Sequence, residues 1–293
     1  EDAFVTVADN EDLTEDGGLT VSLGDLDLFA YGDAGVEIGG ASTGNTATTI
    51  TAGQIDIRSQ DAGTVAIDGN QGVVYETTVN SGGEPVVTTE VDYADVTVQD
   101  VIVDADGTAE FNVDGNAKSL VEAGVVDLTA GTGATFSVSN NDDTAVVVDT
   151  VNILAAQNVG ISISGNTEVV DGTATYPLHA SVTTGAITSK SSGASTTITL
   201  DGNTGVDGGD GDSVVTVDGT IDVTSEVNVT TSISGNSYAN IDLGGTAAED
   251  EAKREVKLAA SGSNTLVMAR NTGATMALAS TTLAAQAAAD VLI

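Results

Sequence analysis

SISGN occupies Ser162–Asn166 and recurs at Ser232–Asn236, and three near-copies, IDGN (Ile67–Asn70), VDGN (Val113–Asn116) and LDGN (Leu200–Asn203), share its ending. Each runs from an apolar residue through one small polar residue to Gly-Asn. Gly and Asn accept positive φ most readily, so the element reads as a corner where a strand ends rather than as a ligand signature written five times. A sixth Gly-Asn, Gly44–Asn45, sits among Ser and Thr. The five glycines, Gly69, Gly115, Gly165, Gly202 and Gly235, are 46, 50, 37 and 33 residues apart. A regular β-helix or propeller keeps a tighter period, so the spacing predicts a set of similar turns and not a strict repeat.

Between these corners, apolar residues alternate with polar ones. Val96, Val98, Val101 and Val103 do so before Asp106–Gly107, and Val215 and Val217 before Asp218–Gly219. Short β-branched runs punctuated by Asp-Gly or Gly-Asn are hairpin signals. The expected fold is therefore all-β: an antiparallel sandwich, jelly-roll-like or otherwise elongated, forming a single domain over 1–293. A division into two subdomains, if present, is expected near 155–175. Two stretches carry helix signals. Thr246–Ala260 has a capping-box spacing from Thr246 to Glu249, and its acids precede its bases as a helix dipole prefers. It also alternates as a strand from about Lys253. The Ala-rich Thr281–Ile293 fits helix or strand equally.

Seven Lys and Arg stand against 44 Asp and Glu, giving a formal net charge of −37. Such a chain repels phosphate backbones and anionic lipid, which excludes nucleic-acid binders. It suits a medium where salt screens the repulsion or divalent cations bridge carboxylates. Cysteine is absent, which is compatible with export. Glu1 in place of an initiator Met reads as the end left by signal cleavage. No apolar run approaches the ~20 residues of a membrane-spanning helix.

Catalytic raw material is scarce. His179 is the single histidine, in YPLHAS. GASTG (Gly40–Gly44) matches a nucleophile elbow as a string but lacks the strand–turn–helix setting. Acid pairs are inevitable among 44 carboxylates, yet Trp is absent and nine Phe and Tyr supply few platforms for sugar rings. No enzyme activity is expected. The cofactor the sequence points to is Ca²⁺. Asp201, Asn203, Asp207, Asp210 and Asp212 place five oxygen donors on one Gly-rich loop, and hard cations take six to eight such ligands. Ser213 stands where a GGxGxD repeat has Asp. Asp104 and Asp106 form a lesser candidate, and Asn228 heads an N-x-T glycosylation sequon.

The ends carry AFVTVA (Ala3–Ala8) and DVLI (Asp290–Ile293). Residues 1–10 are a candidate assembly strand, with Ala3, Phe4, Val5, Val7, Val291, Leu292 and Ile293 the candidate contacts. Either end could pair within its own sheet or complete a neighbour's, and the second route is open-ended and makes filaments. Strands such as TTITAGQIDIRS (Thr48–Ser59) and STTITLDGN (Ser195–Asn203) resemble those of secreted β-rich prokaryotic surface proteins, namely pilus or filament subunits and surface-layer proteins. Ile50–Ser59 and Val151–Gly165 are similar to the solenoid strands of filamentous-haemagglutinin-type adhesins. The resemblance implies an extracellular, self-assembling structural subunit whose partner is itself, with glycans or cell-surface components as further partners. The alternatives are a Ca²⁺-dependent adhesin or carbohydrate-binding β-solenoid, and a viral capsid or fibre protein.

Overall fold

Along Ala94–Ala105 the inward residues are Ala94, Val96, Val98, Val101, Val103 and Ala105, so the alternation slips by one at Gln99–Asp100. Side chains of a strand alternate faces with period two, and such a slip would turn the second half outward unless the chain bends there. It bends, and both halves face one interior. Thr48–Ser59, Ser119–Ala130, Ala145–Ala155 and Ser181–Ser191 slip at the equivalent place. Each long strand thus makes two sides of a coil, and a shorter strand such as Ala134–Ser139 makes the third.

The computed structural model describes residues 1–11, 19–40, 44–81, 84–168, 180–205, 214–243, 255–278 and 280–293. Among them are 25 strands and no helix. The third-side strands, from Ala3–Val7 to Ala288–Leu292, form a ten-stranded sheet, and the first two sides form a thirteen-stranded one. Every registered pair in both sheets is parallel. The chain is a parallel β-helix, a solenoid in which each strand pairs with its equivalents one coil before and one coil after. This corrects the expectation of an antiparallel sandwich or jelly roll. Among the described residues the one antiparallel pair is the hairpin Val73–Ser81 with Glu84–Asp92, inserted between coils. Both stretches left open between helix and strand are strands where the structure describes them: Glu255–Ala260, Ser280–Ala285 and Ala288–Leu292.

The repeat is regular after all, and asparagine marks it. Asn70, Asn116, Asn141, Asn166, Asn203 and Asn236 stack inside the corner between the third and first sides, each at most 3% exposed. The Nδ2 and backbone N–H of each donate to the Oδ1 of the next. Asn116 Nδ2 donates to Asn141 Oδ1 at 3.0 Å, Asn141 Nδ2 to Asn166 Oδ1 at 2.9 Å and Asn166 Nδ2 to Asn203 Oδ1 at 3.0 Å. The second Nδ2 hydrogen reaches the carbonyl of a residue one coil back, as from Asn141 to Val113 at 3.2 Å. Asn10, Asn45 and Asn271 extend this ladder at both ends. At every ladder position except Asn45 the residue before the Asn adopts positive φ, +67° at Gly165 and +69° at Gly235. That is the reason for Gly in SISGN.

Consecutive ladder residues are 25 apart at Asn116, Asn141 and Asn166. Longer steps carry extra residues, at the hairpin and at 12–18, 169–179, 206–213 and 244–254, the last four outside the described residues. Asn140, with φ of +53°, stands where most turns have Gly, so glycine spacing skips this coil.

Inward residues stack in columns along the axis. One runs Val36, Val65, Phe111, Phe136, Ile161 and Ile198. Phe111 and Phe136 are fully buried, with ring centroids 5.7 Å apart. The buried apolar residues form one cluster from Ala30 to Leu266. At the bend between first and second sides, Gly53, Gln99, Gly124, Asp149 and Gly185 share one position in successive coils. Asp100 Oδ1 accepts the Val125 N–H at 2.9 Å, and a Cβ on Gly124 would lie 1.9 Å from the Gln99 carbonyl oxygen.

Candidate functional site

On the outer face of the second side, each coil presents two outward side chains separated by one inward residue. Register places them in two columns: Ile102, Asp127, Asn152 and Thr188 in one, and Asp104, Thr129, Leu154 and Lys190 in the other. The columns wall a groove of about 430 Å³ whose floor includes Leu128 and Ile153, within the range of small-ligand sites. It runs along the solenoid axis, across the strands. Asn152 Nδ2 donates to Asp127 Oδ1 at 2.6 Å, orienting that carboxylate. Leu154 is 48% exposed, an apolar surface in a polar wall. One coil earlier, Arg58 pairs with Asp56 at 2.5 Å. These residues continue the two columns, Asp56 beside Ile102 and Arg58 beside Asp104, so the ion pair spans the groove and stops it at that end.

Asp104, proposed from the sequence as a metal ligand, therefore lies in a groove wall opposite Arg58 in register. Asp106 is exposed at the following corner, where its N–H donates to the Ser59 carbonyl. Asn203 is enclosed in the ladder, with its amide donating to Asn236 and Ile163 and accepting from Asn166. Its carbonyl group is taken, so it faces no loop ligand. Asp201 Oδ1 accepts the Ser234 hydroxyl at 3.1 Å. Asp207, Asp210 and Asp212 lie outside the described residues, as do His179 and the centre of GASTG. Among the described residues no three His, Cys, Asp or Glu converge on a metal-sized site, and no helix is long and apolar enough to cross a membrane. Asn228 sits at the turn before Val229–Ser234, where its Oδ1 accepts the Ser263 N–H at 2.8 Å.

Acidic side chains also meet across coils. Asp68 is in register with Asp114. Burial, then Glu37 and Asp114, raise the Asp68 carboxyl above its ordinary 3.8, and burial and Glu122 do the same to Asp95. A raised folded-state value means the native chain holds protons the unfolded chain has lost. These two groups therefore lose stability as pH rises from 3.8 through the folded value, and the loss persists at neutrality. Asp68→Asn is expected to raise the melting temperature at pH 7 and to leave it unchanged below pH 3.8, as thermal unfolding across that range would show.

The remaining sequence-derived contacts lie at the two ends of the coil stack. Ala3, Val5 and Val7 point inward from an edge strand paired in parallel with Ala34–Gly39, and Phe4 points outward, 66% exposed, beside Gly35. At the other end Val291, Leu292 and Ile293 are 54%, 62% and 91% exposed. Compared with family models, curated proteins and solved structures, the chain matches none.

The groove was not legible as a motif. Its walls come from four coils, and nothing local links Asp104, Thr129, Leu154 and Lys190. The usable signal was their shared position directly after an inward residue, Val103, Leu128, Ile153 or Ser189, in successive coils, which required the coil period.

Proposed function

We propose that the chain is a non-enzymatic, exported structural subunit whose coil stack associates end to end with further copies into a filament or surface layer. One observation carries this reading: the inward columns are apolar at both ends of the stack and match in register. Following the pairing coil by coil, Val5 and Val291 share one column, Val21 and Met276 a second, and Leu28 and Leu283 a third. Stacking the last coil of one copy on the first coil of another would place like against like in all three. It would also pair the free backbone groups of parallel edge strands, which template such addition. A joint between two different surfaces is heterologous and propagates without closing. The high negative charge opposes side-by-side aggregation and leaves the ends as the favoured contact.

Ala3–Val7 pairs within its own sheet, which favours addition of edge to edge over withdrawal of a terminal strand from one subunit to complete another. The 1–293 chain is expected to form concentration-dependent rods in analytical ultracentrifugation and negative-stain images, longer at higher salt. Val5→Lys with Leu28→Lys puts two charges into the joint and is expected to leave folded monomers. A wild-type chain that stays monomeric at every concentration and salt would overturn the reading.

A further inference from the structure

We propose that the groove on the second side binds a linear, uncharged polysaccharide lying along the solenoid axis. The geometry sets the ligand's repeat. Parallel strands are about 4.8 Å apart, so the groove offers one pair of wall residues per ~4.8 Å. An extended peptide advances ~3.3 Å per residue and falls out of step within two coils. Against coils ~4.8 Å apart, a pyranose in an extended β-1,4-linked chain advances by nearly one coil per unit, so the four coils would seat a short run of sugars.

The lining fits that chemistry. A sugar ring has a rim of hydroxyls and a face of C–H groups. Asp127 and Asn152, held by their mutual hydrogen bond, offer acceptors and a donor on one wall. Thr129 adds a hydroxyl on the other, and Ile102 and Leu154 give apolar contact at diagonal positions. Charge excludes one class. A chain of net charge −37 repels polyanions, and Lys190 is the one cation of the four-coil walls. The Asp56–Arg58 ion pair closes one end, so the polymer leaves the face there. With no aromatic platform, each site binds weakly, and a long polymer that spans many subunits gains by multivalency. The proposal does not depend on the end-to-end reading, since one coil stack holds the whole groove.

The test uses the 1–293 chain carrying Val5→Lys and Leu28→Lys, which keep it monomeric and lie outside the groove, with tetramers of β-1,4-linked glucose, mannose and N-acetylglucosamine, and with an anionic tetramer of 1,4-linked uronic acid. Backbone amide NMR shifts follow each titration. At least one neutral tetramer is expected to move the resonances of residues 102–104, 127–129, 152–154 and 188–190 with a Kd near ~1 mM or tighter. Asp127→Ala with Leu154→Ala, both outward and outside the core, is expected to weaken this at least tenfold while the remaining spectrum stays native. Ser162→Ala on the third side should bind as wild type. No saturable shift with any neutral tetramer up to ~10 mM, tighter binding of the uronic acid tetramer, or unchanged binding by the double variant would each overturn the proposal.

Discussion

Asn141→Ala is expected to lower the unfolding free energy by about 3–5 kcal/mol, a large part of a typical domain's total. Asn141 Oδ1 accepts from Asn116 Nδ2 and from the Asn116 N–H, at 3.0 and 3.1 Å. Its own Nδ2 donates to the Val113 carbonyl and to Asn166 Oδ1. Truncation takes a partner from two donors and from the Val113 carbonyl in a corner closed to water, while Asn166 Oδ1 keeps the Asn141 N–H, and each buried unpaired group costs about 1–3 kcal/mol. Partial relaxation keeps the sum below the full penalties added together. Asn141→Asp separates the two halves of the effect. It preserves the acceptor facing Asn116 but turns a carboxylate oxygen toward the Val113 carbonyl and Asn166 Oδ1. Burial raises its carboxyl value, so part of the lost stability should return on acidification, which Asn141→Ala cannot do. Asn10→Ala, at the ladder's part-buried end, should cost less than half as much. Urea unfolding followed by circular dichroism measures all three. Equal losses at Asn10 and Asn141 would mean that the stacked amides contribute nothing beyond their turn.

Much of this architecture was present in the sequence in a form that alternation alone conceals. Period-two patterning is the same for parallel and antiparallel sheets that bury one face, so it supports an all-β chain and is silent on strand direction. The sign of a solenoid was the slip inside Val96-x-Val98-x-x-Val101-x-Val103, repeated in Val121, Ala123, Val126 and Leu128, and in Val146, Val148, Val151 and Ile153. A two-residue rhythm broken once at a constant place is a bend, and a bend that recurs every 25 residues is a coil. Two things hid the period. The insertions lengthen several coils, the hairpin most of all. The turn residue with positive φ is Gly in most coils but Asp9, Asn140 or Arg270 in others, so glycines measure the repeat badly. The asparagine after it measures the repeat well, because only the side-chain amide both donates and accepts along the stack. SISGN was thus rightly read as a corner. Its Asn was undervalued, since a turn preference explains one Asn whereas a buried ladder requires all of them.

Phe136→Ala should produce a comparable loss, about 3–5 kcal/mol, with a different signature. Phe136 is fully buried between Phe111 and Ile161 in one inward column. A globular core surrounds a cavity with many elements able to move in. The solenoid interior is one coil deep in each step, and the backbone ladders on all sides hold successive coils at fixed spacing. The void left by the ring therefore closes poorly, which places the cost toward the upper part of that range. Phe111 loses its stacked neighbour as well, a further ~0.5–1.5 kcal/mol already within it. In a stack where each coil touches only its neighbours, stability is a sum of coil terms and interface terms. A weak interface in the middle then lets the two flanking segments unfold separately. The variant should show a lower m-value or two resolved transitions in urea, with hydrogen exchange accelerated first in Ala109–Asp114 and Ala134–Ser139. Asn141→Ala weakens the neighbouring interface through the ladder, so the double variant should lose less than the two single losses added together. Strict additivity, with a single sharp transition and an unchanged m-value, would show that the coils unfold as one cooperative body and that nearest-neighbour coupling does not govern this rod.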